Sequence, residues 1–162
     1  MSTSDIHLKI DGIRGEATDA RHKDEIVVDS WTWGIANAAP PASGGGGGAG
    51  KPSFSDLSFT HRVDRASPLL WKACAAGTAI REAVLSVARG AGSSPDYLQI
   101  KLSDVRVTAV ALADAAADGQ APTETVSLAF AKVDYEYRAQ RPNGALDAAV
   151  RFGYDLKRNR VT

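Results

Sequence analysis

The chain has 162 residues, 44% of them hydrophobic and 23% charged, which is enough apolar material for one packed domain and argues against disorder. Nineteen Lys and Arg balance nineteen Asp and Glu, and the balance also holds between residues 1–81 and 82–162, so neither half is basic enough to grip nucleic acid. The single cysteine, Cys74, excludes an intramolecular disulfide and fits a reducing compartment, and no apolar run is long enough for a signal core or a membrane span.

In chain order, Ile6, Leu8 and Ile10 alternate as a first strand, with His7 on its polar parity, and "DGIRGE" turns. "TDARHKDE" gathers His22 with Asp19, Asp24 and Glu25. Without paired His or Cys ligands it reads as a solvated charged loop rather than a metal site. "DEIVVDSWTWGIA" predicts a strand from about Glu25 to Ile35. Within it Trp31 and Trp33 share one parity and are expected to anchor the core, each indole N–H needing a partner. Ser30 and Thr32 then share the opposite face, with small hydroxyls where a surface meeting only water would carry charge.

The glycine run follows. Gly45, four residues, then Gly50-Lys51 imitates a phosphate-binding loop. Such a loop needs Ser or Thr after the lysine for Mg²⁺ and a helix starting there. Pro52 occupies the hydroxyl position, and Leu57, Phe59, His61 and Val63 alternate with Ser58, Thr60 and Arg62 as a strand. The segment reads as an extended loop over about residues 40–52, longer than hairpin loops usually are, which points to a contact role. His61 sits on the inward parity and reads as a satisfied, partly buried histidine.

"SPLLWKACAAG" is the one helix, over about residues 67–77, with Ser67 as N-cap, Pro68 at the first helical position and Gly77 as C-cap. Cys74 falls on its apolar stripe as a small core residue. Two later strands change parity midway. Leu98, Ile100 and Leu102 hand over to Val105 and Val107, and Val126, Leu128 and Phe130 to Val133, Tyr135 and Tyr137. Each slip predicts a bulge or a strand crossing between sheets. The Ala-rich 113–119 stretch reads as a hairpin loop, and Asn143-Gly144 as a turn before a last strand near 149–156. The expected fold is all-β: a compact antiparallel β-barrel or bent sandwich, one domain over residues 1–162, with one flanking α-helix and the extended Gly-rich loop. No nucleophile–base pair stands out. No catalytic residue, metal or cofactor is expected.

"HLKIDGIRGEATDARHKDEIVVDSWTWG", "DLSFTHRVDRASPLLWKACAAG", "YLQIKLSDVRV", "ETVSLAFAKVDYEYRAQRPNGAL" and "VRFGYDLKRN" together resemble, in order, the haemolysin-coregulated proteins (Hcp) of the bacterial type VI secretion system. The resemblance implies a non-enzymatic β-barrel subunit that forms hexameric rings stacking into a hollow tube, with a spike protein, a sheath and lumenal effector proteins as partners. It implies synthesis in the cytoplasm and secretion without a cleavable signal, with no nucleic acid bound and no membrane insertion. In this frame Gly44, Gly45, Gly46, Gly47, Gly48, Gly50 and Lys51 form a loop reaching a neighbouring subunit or ring. Ser30 and Thr32 suit a lumen or cargo face, with a subunit contact or a solvated patch as the alternative, and Trp31 and Trp33 belong to the core. The chain departs from the family pattern at "RGAGSSPDY" and "LADAAADGQAPTE", both hairpin tips. A monomeric ligand-binding barrel and a nucleotide enzyme using Lys51 are the competing expectations.

Overall fold

The computed structural model describes residues 4–38, 51–90, 94–114, 119 and 121–162. Its elements are β1 (Ser4–Ile10), β2 (Ile26–Val27), β3 (Ser30–Thr32), β4 (Ile35–Ala36), β5 (Ser53–Phe54), β6 (Leu57–Arg62), α1 (Ser67–Ala76), β7 (Ile80–Arg89), β8 (Asp96–Ala113), β9 (Thr123–Ala129), β10 (Lys132–Tyr137), β11 (Val150–Asp155) and β12 (Arg160–Val161). All pairings are antiparallel. The all-β class with one flanking helix is therefore present.

β8 organises the sheet. Its first half runs between β7 and β10, and its second half pairs with β9. The change of neighbours falls at Asp104, whose φ of 54° is in the left-handed region. One residue of reversed twist moves the inward set from Ile100 and Leu102 to Val105 and Val107, all buried. This is the crossing that the parity slip predicts. The second slip ends one strand and begins another. β9 stops at Ala129, the Ala131 N–H reaches Ser103 O at 3.0 Å, and β10 resumes on the other sheet half.

The stretch read as one strand from Glu25 to Ile35 is three short ones. The Val28 N–H donates to Ile6 O of β1 at 2.9 Å, while the Asp29 N–H donates to Thr60 O of β6 at 2.8 Å. The chain thus leaves one half of the sheet and joins the other within two residues, and no continuous strand spans that step. For the same reason no unbroken ladder closes the sheet into a barrel. The order β12-β11-β10-β8-β7-β1-β2 is joined to β8-β9-β6-β3, and the ring is completed by the covalent chain between β2 and β3.

The interior is filled by Leu8, Ile26, Leu57, Phe59, Leu85, Ile100, Leu102, Val105 and Leu128. Helix α1 lies on β8 and inserts Leu70 and Ala73, with Cys74 half-buried beside them. Its C-cap is Gly77 in the left-handed conformation, as the sequence predicts. Its N-cap is Ala66 rather than Ser67. Asp64 Oδ1 accepts the Ala66 N–H at 2.8 Å, and the Ser67 hydroxyl turns back to accept the Asp64 N–H at 3.1 Å, so it no longer caps the helix. Glu124, fully buried, ties the helix to the sheet. Its Oε2 accepts Trp71 Nε1–H at 2.7 Å and its Oε1 lies 2.8 Å from Nε2 of the equally buried His61.

Two histidines lie deeper than their parity and loop position imply. His7 and His22 are both buried and stack with ring centroids 4.5 Å apart. The 11–25 loop folds back through Gly15 N–H to Asp24 O (2.8 Å) and Ala17 N–H to Glu25 O (2.9 Å), which carries His22 over the outer side of β1. His22 then sits between Glu25 and Asp96, at 3.0 and 3.1 Å. Polar parity does not expose His7 because a loop covers that side.

Candidate functional site

The described residue types best suited to a shared surface lie on the outer side of β3, β6, β9 and the second half of β8. In β6, Leu57, Phe59 and His61 point in and Ser58, Thr60 and Arg62 point out. In β9, Glu124, Val126 and Leu128 point in and Thr123, Thr125, Ser127 and Ala129 point out. Register aligns these outward residues into cross-strand rows. Ser30, Thr60, Thr125 and Ala111 form one row, and Thr32, Ser58, Ser127 and Ala109 the next. Strands lie about 4.8 Å apart, so the rows make a patch about 15 Å wide with no ionisable side chain in it.

The hydroxyls are tied to each other. Ser30 Oγ and Thr60 Oγ1 are 2.6 Å apart, and Ser58 Oγ and Ser127 Oγ 2.8 Å. Thr32 and Thr125 are exposed and make no side-chain hydrogen bond among the described residues, so their hydroxyls are available to a ligand. Charge appears only at the margins and is partly neutralised there. Arg62 lies 3.8 Å from Asp29, and Asp56 accepts the Thr108 hydroxyl at 2.6 Å. A face of short side chains with free hydroxyls offers weak, undirected hydrogen bonding to many surfaces and does not repel either sign of charge.

Ser30 and Thr32 are thus exposed on this face, while Trp31 and Trp33 are half-buried on the other side and pack against the core. Trp33 joins Phe54, Phe130 and Tyr135, with centroids 6.1–6.2 Å away. Its Nε1–H finds no partner among the described residues, against the expectation that each indole N–H would be satisfied. Gly44 to Gly48 and Gly50 lie outside the described residues. Lys51 is exposed, and the segment leaves from and returns to the β4–β5 pair, where Ala36 faces Ser53. The sequence reading singled out only β3 of this face. Ser58, Thr60, Thr125 and Ser127 were missed, although the alternating Ser and Thr of β6 and β9 carry the same signal. No group of His, Cys, Asp and Glu among the described residues is arranged to hold a metal ion.

The family model described as "Type VI secretion system effector, Hcp" matches residues 7–137. Protein hcp1 of Pseudomonas aeruginosa is 36% identical over 157 residues, 96% of each chain. The chain belongs to the Hcp family. A structure titled as a type six secretion system protein superposes with a TM-score of 0.91 at 30% identity, covering 98% of this chain and 99% of that one. Hcp1 from Salmonella typhimurium superposes with a TM-score of 0.81 at 36% identity, covering 99% and 100%. Membership in the Hcp family makes this a type VI secretion protein, and it covers both parity slips and the hydroxyl face as far as Tyr137.

Proposed function

We propose that the chain is a structural subunit of the type VI secretion tube, assembling into hexameric rings that stack around a hollow lumen. The face of Ser30, Thr32, Ser58, Thr60, Thr125 and Ser127 lines that lumen and holds effector proteins in transit. The observation that carries this reading is the run of two cross-strand rows without a charge, in a chain whose charged content is otherwise ordinary. A lumen wall that passes many cargoes needs short side chains and hydrogen-bonding capacity without a fixed sign. The subunit carries no catalysis and no cofactor. It is made in the cytoplasm and exported by the type VI system, with the spike and sheath as partners, and the Gly44–Gly50 segment with Lys51 contacts a neighbouring subunit or ring.

Ring formation is tested by native mass spectrometry at micromolar protein. We predict a hexamer built through head-to-tail contacts, and a monomer at every concentration and salt would overturn the reading. The lumen assignment is tested by Thr32→Gln, which enlarges an exposed side chain without adding charge. Rings should persist and retain less effector in a pull-down. Unchanged retention by intact rings would remove Thr32 from the cargo face, and broken rings would place it in the subunit interface.

A further inference from the structure

A groove unrelated to the hydroxyl face runs between the 11–25 loop and the exposed side of α1. One arm, about 870 Å³, is lined by residues 9–14, 20–21 and 23–25, with Arg65 and Leu69. A second arm, about 450 Å³, shares Asp11, Gly12, Ile13 and Leu69 with the first and continues past Lys72 to Arg81. Its apolar part is Leu69, on the outward side of α1 and 42% exposed, beside the buried Ile13. Its rim is cationic. Lys9, Arg14, Arg21, Lys23 and Arg65 are all exposed, and none enters an ion pair among the described residues.

Lys51, Lys72, Arg89, Arg106, Lys132 and Arg160 also lack an ion pair among the described residues, but they are not gathered around one groove, and the other cations are paired. Arg62, Arg81, Lys101, Arg138, Arg141, Arg151, Lys157 and Arg158 each have a carboxylate within reach. Three carboxylates also line the groove, and Asp24 among them has no ion pair among the described residues; the others, and Glu16 nearby, have partners. Asp11 holds Arg81 at 2.8 Å, Glu25 holds His22 at 3.0 Å, and Glu16 accepts the Arg65 backbone N–H at 2.7 Å. A chain of zero net charge has therefore gathered unpaired positive charge around an uncovered leucine.

We propose that this groove docks an acidic, amphipathic segment of a partner protein. The segment's carboxylates lie against Arg14, Arg21, Lys23 and Arg65, and its apolar side chains cover Leu69 and Ile13. Both halves of the groove select this chemistry. A phosphate polymer would gain from the rim but nothing from the apolar part, and its unbroken charge would meet Asp11, Asp24 and Glu25 in the same wall. A peptide places negative charge at intervals and apolar groups between them, which matches the pattern.

The test is fluorescence anisotropy of a short labelled peptide alternating Glu and Leu, titrated with the full-length assembled protein. The expected result is saturable, salt-sensitive binding, weakened about tenfold or more by Arg14→Glu with Arg65→Glu and by Leu69→Ser, and unchanged by Lys157→Glu outside the groove. If the double reversal fails to fold, Arg21→Gln with Lys23→Gln carries the same expectation. Absence of binding, equal loss in Lys157→Glu, or equally tight binding of a leucine-free poly-Glu peptide or of a single-stranded oligonucleotide would overturn the proposal. So would peptide binding that disperses the rings, which would make the groove a contact between subunits.

Discussion

Glu124 accepts two hydrogen-bonding partners where no water reaches it, so its removal leaves Trp71 Nε1–H and the His61 ring without that acceptor. We predict that Glu124→Ala lowers unfolding free energy by about 3 kcal/mol, read from urea midpoints, because truncation strands the fully buried His61 ring, while the N–H of the partly exposed Trp71 can turn to water. Trp71→Phe, which removes one donor, should cost about 1 kcal/mol. The stacked histidines respond to pH with opposite signs. Burial, and then the neighbouring His22, holds His7 below the usual imidazole value of 6.5, although Asp19, Asp5 and Asp96 pull the other way. Burial also works to lower His22, but Asp96 and Glu25 outweigh it and raise the pKa. The His22 contribution is complete below pH 6.5 and is lost as pH rises through the raised folded value. His22→Gln should therefore cost most in mild acid and progressively less above that value. Folding disfavours the His7 proton, so its contribution is complete above pH 6.5 and lost as pH falls through the lowered value, and His7→Asn should flatten that acid-side decline. Denaturant unfolding between about pH 5 and about pH 8 separates the two. The inward side chain of His61 was legible from strand parity. The burial of His7 and His22 was not, because alternation reports which side of a strand a residue takes and not whether a loop covers that side.

At the scale of elements, the switch in β8 depends on one residue. Asp104 holds a left-handed conformation with only a 3.9 Å contact to Lys157 beside it, both groups largely exposed, so the ion pair adds little and the backbone decides. We predict that Asp104→Val destabilises by about 1–3 kcal/mol while Asp104→Gly is tolerated, with thermal melts as the measure. Gly15 is constrained differently. A Cβ there would lie 2.5 Å from Glu25 O, a backbone atom that cannot yield, so Gly15→Ala should detach the 11–25 loop and release His22. The switch in β8 was legible because a change of parity has few physical causes. The division of residues 26–36 among β2, β3 and β4 was not, since Val28 and Asp29 keep a strand-like pattern while their N–H groups go to different strands. The hydroxyl face was legible only one strand at a time, because cross-strand register, which makes a surface of it, is set by long-range pairing.

At the scale of the whole molecule, overall balance of charge coexists with an uncharged sheet face and a cationic groove. The total therefore says little about where partners would bind. Family membership was legible because the quoted segments run in order along nearly the whole chain, whereas the groove was invisible because its cations come from β1, the 11–25 loop and the approach to α1. The pairing of β1 has a further consequence, in time rather than space. Ile6 pairs with Val87 and Leu57 with Leu128, so the first strands made wait for partners synthesised much later. As the chain leaves the ribosome, β1 has only the two residues of β2 to pair with until β7 emerges. Closing such long loops before any contact rewards them is slow, and refolding followed by tryptophan fluorescence should occupy milliseconds to seconds, as for other chains rich in non-local strand pairs. For that interval Leu8 and Ile10 lack their later neighbours, and a newly made chain is most exposed to premature self-association before its fold is complete.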